Sequence, residues 1–252
     1  MKTKENILSL VPTQGITPIE IFNRAHVRSM AFISGGVGNK GRRDADDLRA
    51  AVVFAVASID TFFRAKIVHI LLTERSSMSN FSLSDSTRKI IQKTIAKKIF
   101  SGREYNQLNL EEKNAVDAMC ESKKPYLIRY LQVALTEMSF QGVSQLDEGI
   151  KMMGKKPQEI WQKVISYEDN NSSSQKSVGR PKKKRRGKKT DIKVQLKNLF
   201  SRRHKIVHEA DLNLQSRKHR GQERKISYDT VKNWIDSTEK IIKKLDSVIS
   251  ET

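Results

Sequence analysis

Apolar residues recur along this chain at spacings of three and four, which predicts helices and leaves no stretch that alternates like a strand. The longest such pattern covers residues 48–72. There Leu48, Val52, Ala55, Val56, Ile59, Phe62, Phe63, Ile67, Ile70 and Leu71 form one stripe, as a core helix requires. Upstream, Thr17-Pro18-Ile19-Glu20 is a helix start. Thr17 can cap, Pro18 suits the first helical position, and Glu20 can reach back to the cap. That helix is expected to end near Ile33, before Gly35, Gly36, Gly38 and Gly41. No strand precedes these glycines and no Gly-Lys-Ser/Thr follows, so they read as a hinge or turn and not as a phosphate loop.

Shorter helices are predicted over 86–100, 110–121 and 124–139, the second opened by Asn109 with Glu112 three residues on. Tyr126, Leu127, Tyr130, Leu131, Ala134, Leu135 and Met138 give the third an apolar face suited to a core. Pro157 opens another helix, with Ile160, Trp161, Val164 and Ile165. Ile192, Leu196, Leu199 and Phe200 mark a helix over 191–200. Residues 213–224 read as a polar, basic loop. A last helix over 228–249 places Val231, Trp234, Ile235, Ile241, Ile242, Leu245, Val248 and Ile249 on one face. The fold class is therefore all-α, a helical bundle.

One segment breaks the pattern. Residues 169–190 pass from asparagine, serine and glutamine into a run, 176–189, that holds nine basic residues and no acidic one. Such a stretch has little to bury and repels itself, so it is expected to be disordered when free. It separates an N-terminal helical part (1–168) from a C-terminal helical part (191–252), as a low-complexity linker inserted into one helical domain. Gly179-Arg180-Pro181-Lys182 resembles the core of an AT-hook, with Val178 where an arginine is usual. Pro181 through Arg186 also resembles a nuclear import signal. The plainest role for Arg180, Lys182, Lys183, Lys184, Arg185, Arg186, Lys188 and Lys189 is a non-specific grip on RNA or DNA phosphates. The competing role is a solvated spacer.

Charge extends the same theme beyond the linker. The 252 residues include 48 Lys+Arg and 28 Asp+Glu, a net charge of +20, and removing the nine charges of the run still leaves +11. A surplus of this size favours a polyanionic partner, although solubility alone also profits from it. Cys120 is the only cysteine, which excludes an intrachain disulfide and a cysteine-based zinc site. The first ten residues lack the apolar stretch of a secretory signal. Asp60, Arg64, Lys66 and His69 interrupt the longest apolar segment. A cytoplasmic protein without a membrane partner is expected.

The residues with the most chemistry are Arg202-Arg203-His204-Lys205-Ile206-Val207-His208-Glu209, which hold two of the five histidines. Arginine can bind a phosphate while histidine moves a proton beside it. Arginine followed by histidine after four residues is common by chance, and the chain carries a second copy, Arg64-Ala65-Lys66-Ile67-Val68-His69. That copy lies inside the long core helix, where five residues turn the chain by roughly 500°, so Arg64 and His69 point about 140° apart. At the other copy His204 and His208 are four apart and share a helical face, while Ile206 and Val207 can anchor the opposite face in the core.

Arg203-His204-Lys205-Ile206-Val207-His208 resembles the signature of the HEPN superfamily of helical ribonucleases: arginine, then a polar residue, then histidine after four to six intervening residues. Arg203, His204 and His208 fit the three positions, whereas Ala65 fails the second. The wider arrangement is similar to the RiboL-PSP type of HEPN domain, best over 48–72 and 191–249. The basic run is no part of that pattern. The resemblance implies a compact bundle, often a homodimer whose paired motifs form one composite site. It implies RNA cleavage without a metal or other cofactor, in a toxin or defence effector that an antitoxin or regulator would restrain. It also allows a non-catalytic relative that binds nucleic acid or only dimerises.

On these terms His208 is the expected acid/base group, Arg203 the stabiliser of charge in the transition state, and His204 an orienting or second proton-transfer group. Arg202 would hold a neighbouring phosphate. The plain alternative is that Arg202 and Arg203 are merely exposed and the histidines flank a buried Ile-Val pair. A zinc reading draws on the spacing of His204 and His208. It lacks the glutamate of His-Glu-x-x-His and sets a dication among Arg202, Arg203 and Lys205, so no metal ligand is assigned.

Overall fold

The computed structural model describes residues 16–34, 45–77, 85–121, 126–172, 192–209 and 224–251. Among these the chain forms α1 (Pro18–Ser34), α2 (Ala45–Ser77), α3 (Asp85–Ile99), α4 (Leu110–Glu121), α5 (Tyr126–Glu137), α6 (Val143–Met152), α7 (Pro157–Ser172), α8 (Ile192–His208) and α9 (Tyr228–Glu251). A single 3-10 turn, Tyr105–Gln107, precedes α4. There is no strand among the described residues, as the spacing predicts.

The predicted helix starts are present. Thr17 N donates to Glu20 at 2.7 Å, and Glu20 N donates back to Thr17 Oγ1 at 3.3 Å. Asn109 and Glu112 exchange the same pair of bonds at 3.0 and 2.9 Å. Each exchange satisfies two of the donors that a helix N-terminus leaves open. Three features differ from expectation. First, α6 has no polar residue at its cap, only Gly142, so nothing but the spacing of Leu146, Ile150 and Met152 announces it. Second, α7 runs through Ser172, carrying its helix four residues into the segment read as linker. Third, α8 does not stop at Phe200 but continues through the histidine motif to His208.

The helices belong to two compact units. One contains the described residues within Met1–Phe22 and Asp60–Pro157, the other those within Asn23–Ile59 and Gln158–Thr252. In the first, α3 packs against α4, α5 and α6. Asp60 there holds a junction: Oδ2 accepts from Arg64 Nε at 2.9 Å, and Oδ1 accepts from the Phe140 amide at 2.6 Å. Arg64 also donates to the Met138 carbonyl at 2.5 Å, so this Arg-x4-His copy serves packing. Gly149 lets the rings of Phe63 and Phe140 stack, with centroids 5.8 Å apart, where a Cβ would collide with both.

The second unit carries the motif. Leu48, Val52 and Val56 of α2, Ile160, Trp161 and Val164 of α7, and Ile192, Leu196 and Leu199 of α8 are buried in it. So are Val231, Ile235, Ile241, Ile242, Leu245, Val248 and Ile249 of α9. These last residues form an unbroken stripe, and each such side chain removed from water stabilises the fold by about 1.5–3 kcal/mol. Among the described residues, no helix is long and apolar enough to cross a membrane.

Candidate active site

The stripe that fastens α8 consists of Ile192, Leu196, Leu199 and Phe200. Continued at the same spacing, it falls on Arg203, Ile206 and Val207. The core, however, ends at Phe200. Ile206 is only half-buried and Val207 is 46% exposed, so this pair does not anchor the motif. Beyond Phe200 no residue of α8 is fully buried, and Ser201, His204, Val207 and His208 are exposed.

His204 and His208 lie on one flank of this extended stripe. Both are exposed, and their ring centroids are 4.6 Å apart with planes inclined by 42°. One turn of helix brings them together, as the spacing predicts. Arg203 is half-exposed and pairs with no carboxylate among the described residues. Because α8 is helical throughout, Arg203 and His208 are also about 140° apart around its axis, the same angle that separates Arg64 from His69. A single α8 therefore brings the two imidazoles together but turns the guanidinium of Arg203 away from His208.

Arg202 lies on the opposite flank. Its guanidinium donates to the main-chain oxygens of Arg224 at 3.1 Å and of Lys225 at 3.4 Å. The Arg224 oxygen also accepts from Arg49 of α2 at 3.5 Å, and Arg49 bonds Asp46 at 2.9 Å. Glu209, just past the end of α8, accepts from the Arg224 side chain at 3.2 Å. Residues 224 and 225 are thereby strapped to α8 immediately before α9 begins.

Arg202 belongs to the motif, but no local pattern marks Arg49, within an apolar helix, or Arg224, one cation among several in a polar loop. Their partners are 175 and 22 residues away in sequence, beyond the reach of any local pattern. Arg180, Lys182, Lys183, Lys184, Arg185, Arg186, Lys188 and Lys189 lie outside the described residues. No three His, Cys, Asp or Glu side chains among the described residues come together as a metal site. No protein-family model, curated protein or solved structure matches this chain.

Proposed function

We propose that this protein is an endoribonuclease of the HEPN type, acting through His204, His208 and Arg203 without a metal. The observation that carries the reading is the pair of solvent-exposed imidazoles 4.6 Å apart near the C-terminal end of α8. Exposed imidazoles so close together can divide the roles of base and acid at neutral pH. One takes the proton of a ribose 2′-hydroxyl as that oxygen bonds to phosphorus. The other, protonated, gives its proton to the 5′-oxygen as the phosphorus–oxygen bond breaks. The products carry a 2′,3′-cyclic phosphate and a 5′-hydroxyl. Charge gathers on the phosphoryl oxygens in the transition state, where a guanidinium stabilises it more than in the ground state.

Arg203 is turned from His208 within one chain, so the guanidinium that completes the site comes from a second copy. Ile206, Val207 and Arg203, continuing the buried stripe of α8 into solvent, are the face on which two copies would meet. The net charge of +20 draws RNA to this surface. A role as a toxin or defence effector rests on the resemblance alone.

The test is incubation of the purified protein with single-stranded RNA and with DNA of the same sequence, in EDTA. Cleavage of the RNA alone, leaving cyclic-phosphate ends, is expected, with a loss of at least hundredfold in His208→Ala (about the contribution of one acid–base group). Full activity in His208→Ala, or no cleavage by the unaltered protein, overturns the proposal.

A further inference from the structure

The cations of α8 differ in what they meet. No acidic residue occurs between Ile192 and His208, whereas Lys193, Lys197, Arg202, Arg203 and Lys205 are basic. Lys193 lies over the ring of Trp161, its ammonium 5.1 Å from the centroid. Arg202 is bonded to main-chain oxygens before α9, and Arg203 continues the buried stripe. Lys205 is half-exposed and stands about 100° round the axis from His204. Of the five, only Lys197 is exposed, and it pairs with no carboxylate among the described residues.

The position of Lys197 decides what that charge can do. It precedes His204 by two turns, so it points within about 20° of both histidines. Ser201, also exposed, lies between on the same face. Lys197, Ser201, His204 and His208 thus stand in single file, in an arc about 60° wide and roughly 16 Å long. Lys197 is about 120° round from Arg203, away from the centre of the face proposed for the second copy.

An RNA strand presents a phosphate at every nucleotide, so a bond held at the histidines has further phosphates on either side. Lys197 is about 10 Å along the axis from His204, which suits one of these neighbours better than the phosphate being cleaved. An ammonium binds phosphate as a point charge, and the Ser201 hydroxyl can donate to an oxygen on the way.

We propose that the substrate strand lies lengthwise on this face of α8, with Lys197 holding a phosphate that flanks the bond cut at His204 and His208. The proposal rests on the nuclease reading and adds a substrate-binding residue to it. Lys197 touches no reacting atom. Its contact is equal in ground and transition states, so its loss raises KM and spares kcat.

The test uses oligoribonucleotides with one ribose 2′-hydroxyl and 2′-methoxy groups elsewhere, so that each has a single bond to cut. They are lengthened one nucleotide at a time, on the 5′ or on the 3′ side, and offered to the full chain in EDTA. Because kcat/KM reads only strands that reach the histidines, binding elsewhere, as on 176–189, does not enter. On one side kcat/KM should climb by about tenfold as the extension reaches Lys197, as for a charged contact to phosphate. That side gives the direction of the strand. The gain should vanish in Lys197→Gln, with KM carrying the change, while the shortest substrate is cut within about twofold of the normal rate. Lys232→Gln, at an exposed position of α9, should keep the gain.

A ladder that does not climb, or that climbs equally in Lys197→Gln, overturns the inference and leaves the nuclease reading standing. If no substrate is cut, the nuclease reading falls and binding decides the rest. With a fully methoxylated strand, Lys197→Gln should make the slope of log affinity against log salt shallower by about 0.7, and an unchanged slope overturns the inference.

Discussion

The guanidinium of Arg202 donates to the main-chain oxygen of Arg224 at 3.1 Å, while Arg203, its neighbour in sequence, meets no carboxylate among the described residues. Two adjacent arginines of one motif thus differ in kind. Replacing Arg202 with Ala leaves a partly buried carbonyl with fewer donors and should lower stability by about 1–3 kcal/mol. Arg203→Ala should change stability by no more than about 0.5 kcal/mol, as usual for a surface site. Urea unfolding of the two variants measures the contrast, and equal losses would contradict it.

The angle of about 140° between Arg203 and His208 makes a prediction about assembly. Arg203→Ala and His208→Ala should each be inactive on RNA. Mixed, they should recover a measurable fraction of activity, because one composite site then receives the arginine of one chain and the histidine of the other. A double variant carrying both changes in one chain, mixed with the same protein, should recover nothing. Absence of complementation between chains shown to associate would count against the shared site.

Deleting residues 176–189 removes nine positive charges. If all nine meet phosphates of single-stranded RNA, the slope of log affinity against log salt should become shallower by about 6. Cutting of saturating RNA should persist, since the histidine pair lies elsewhere in the chain. Binding measured across a salt series, with an unchanged slope, would reduce the run to a spacer.

Gly149→Ala should destabilise the protein although alanine favours helices by about 1 kcal/mol over glycine. A Cβ there would come within 2.8 Å of the Phe63 ring and 3.0 Å of the Phe140 ring. Overpacking of this kind typically costs about 1–3 kcal/mol, so the collision wins. A melting temperature equal to or above that of the parent would show that the rings can move aside.

His26, buried on α1, is held below the ordinary histidine range, chiefly by burial and to a smaller extent by the Lys243 ammonium. The Glu239 and Asp236 carboxylates oppose the shift. The unfolded chain therefore takes up the proton first as pH falls. The neutral imidazole contributes full stability above the unfolded value of about 6.5, and that contribution is lost as pH drops towards the folded value. Stability should fall as pH drops through about 6.5, and His26→Gln should fall less steeply. Parallel pH profiles of the two proteins would remove His26 as the cause.

The sequence by itself determined the helices, because their signals are local. A stripe such as Val231, Ile235, Ile241, Leu245 and Val248 needs only the period of the backbone, and Asn109 with Glu112 needs only three residues to meet. It also determined that His204 and His208 share a face, since a single turn decides that. α6 is the exception for the same reason: it is short and has no polar cap, so its local signal is thin. Only the tertiary structure decided where the buried stripe of α8 ends, and hence that Ile206 and Val207 are not both inside the core. Only it could gather Arg49, Arg202 and Arg224 around one carbonyl, because that meeting depends on three distant segments arriving together. Local periodicity says which face of a helix is apolar, but what covers that face, and where the cover stops, is settled by packing between helices.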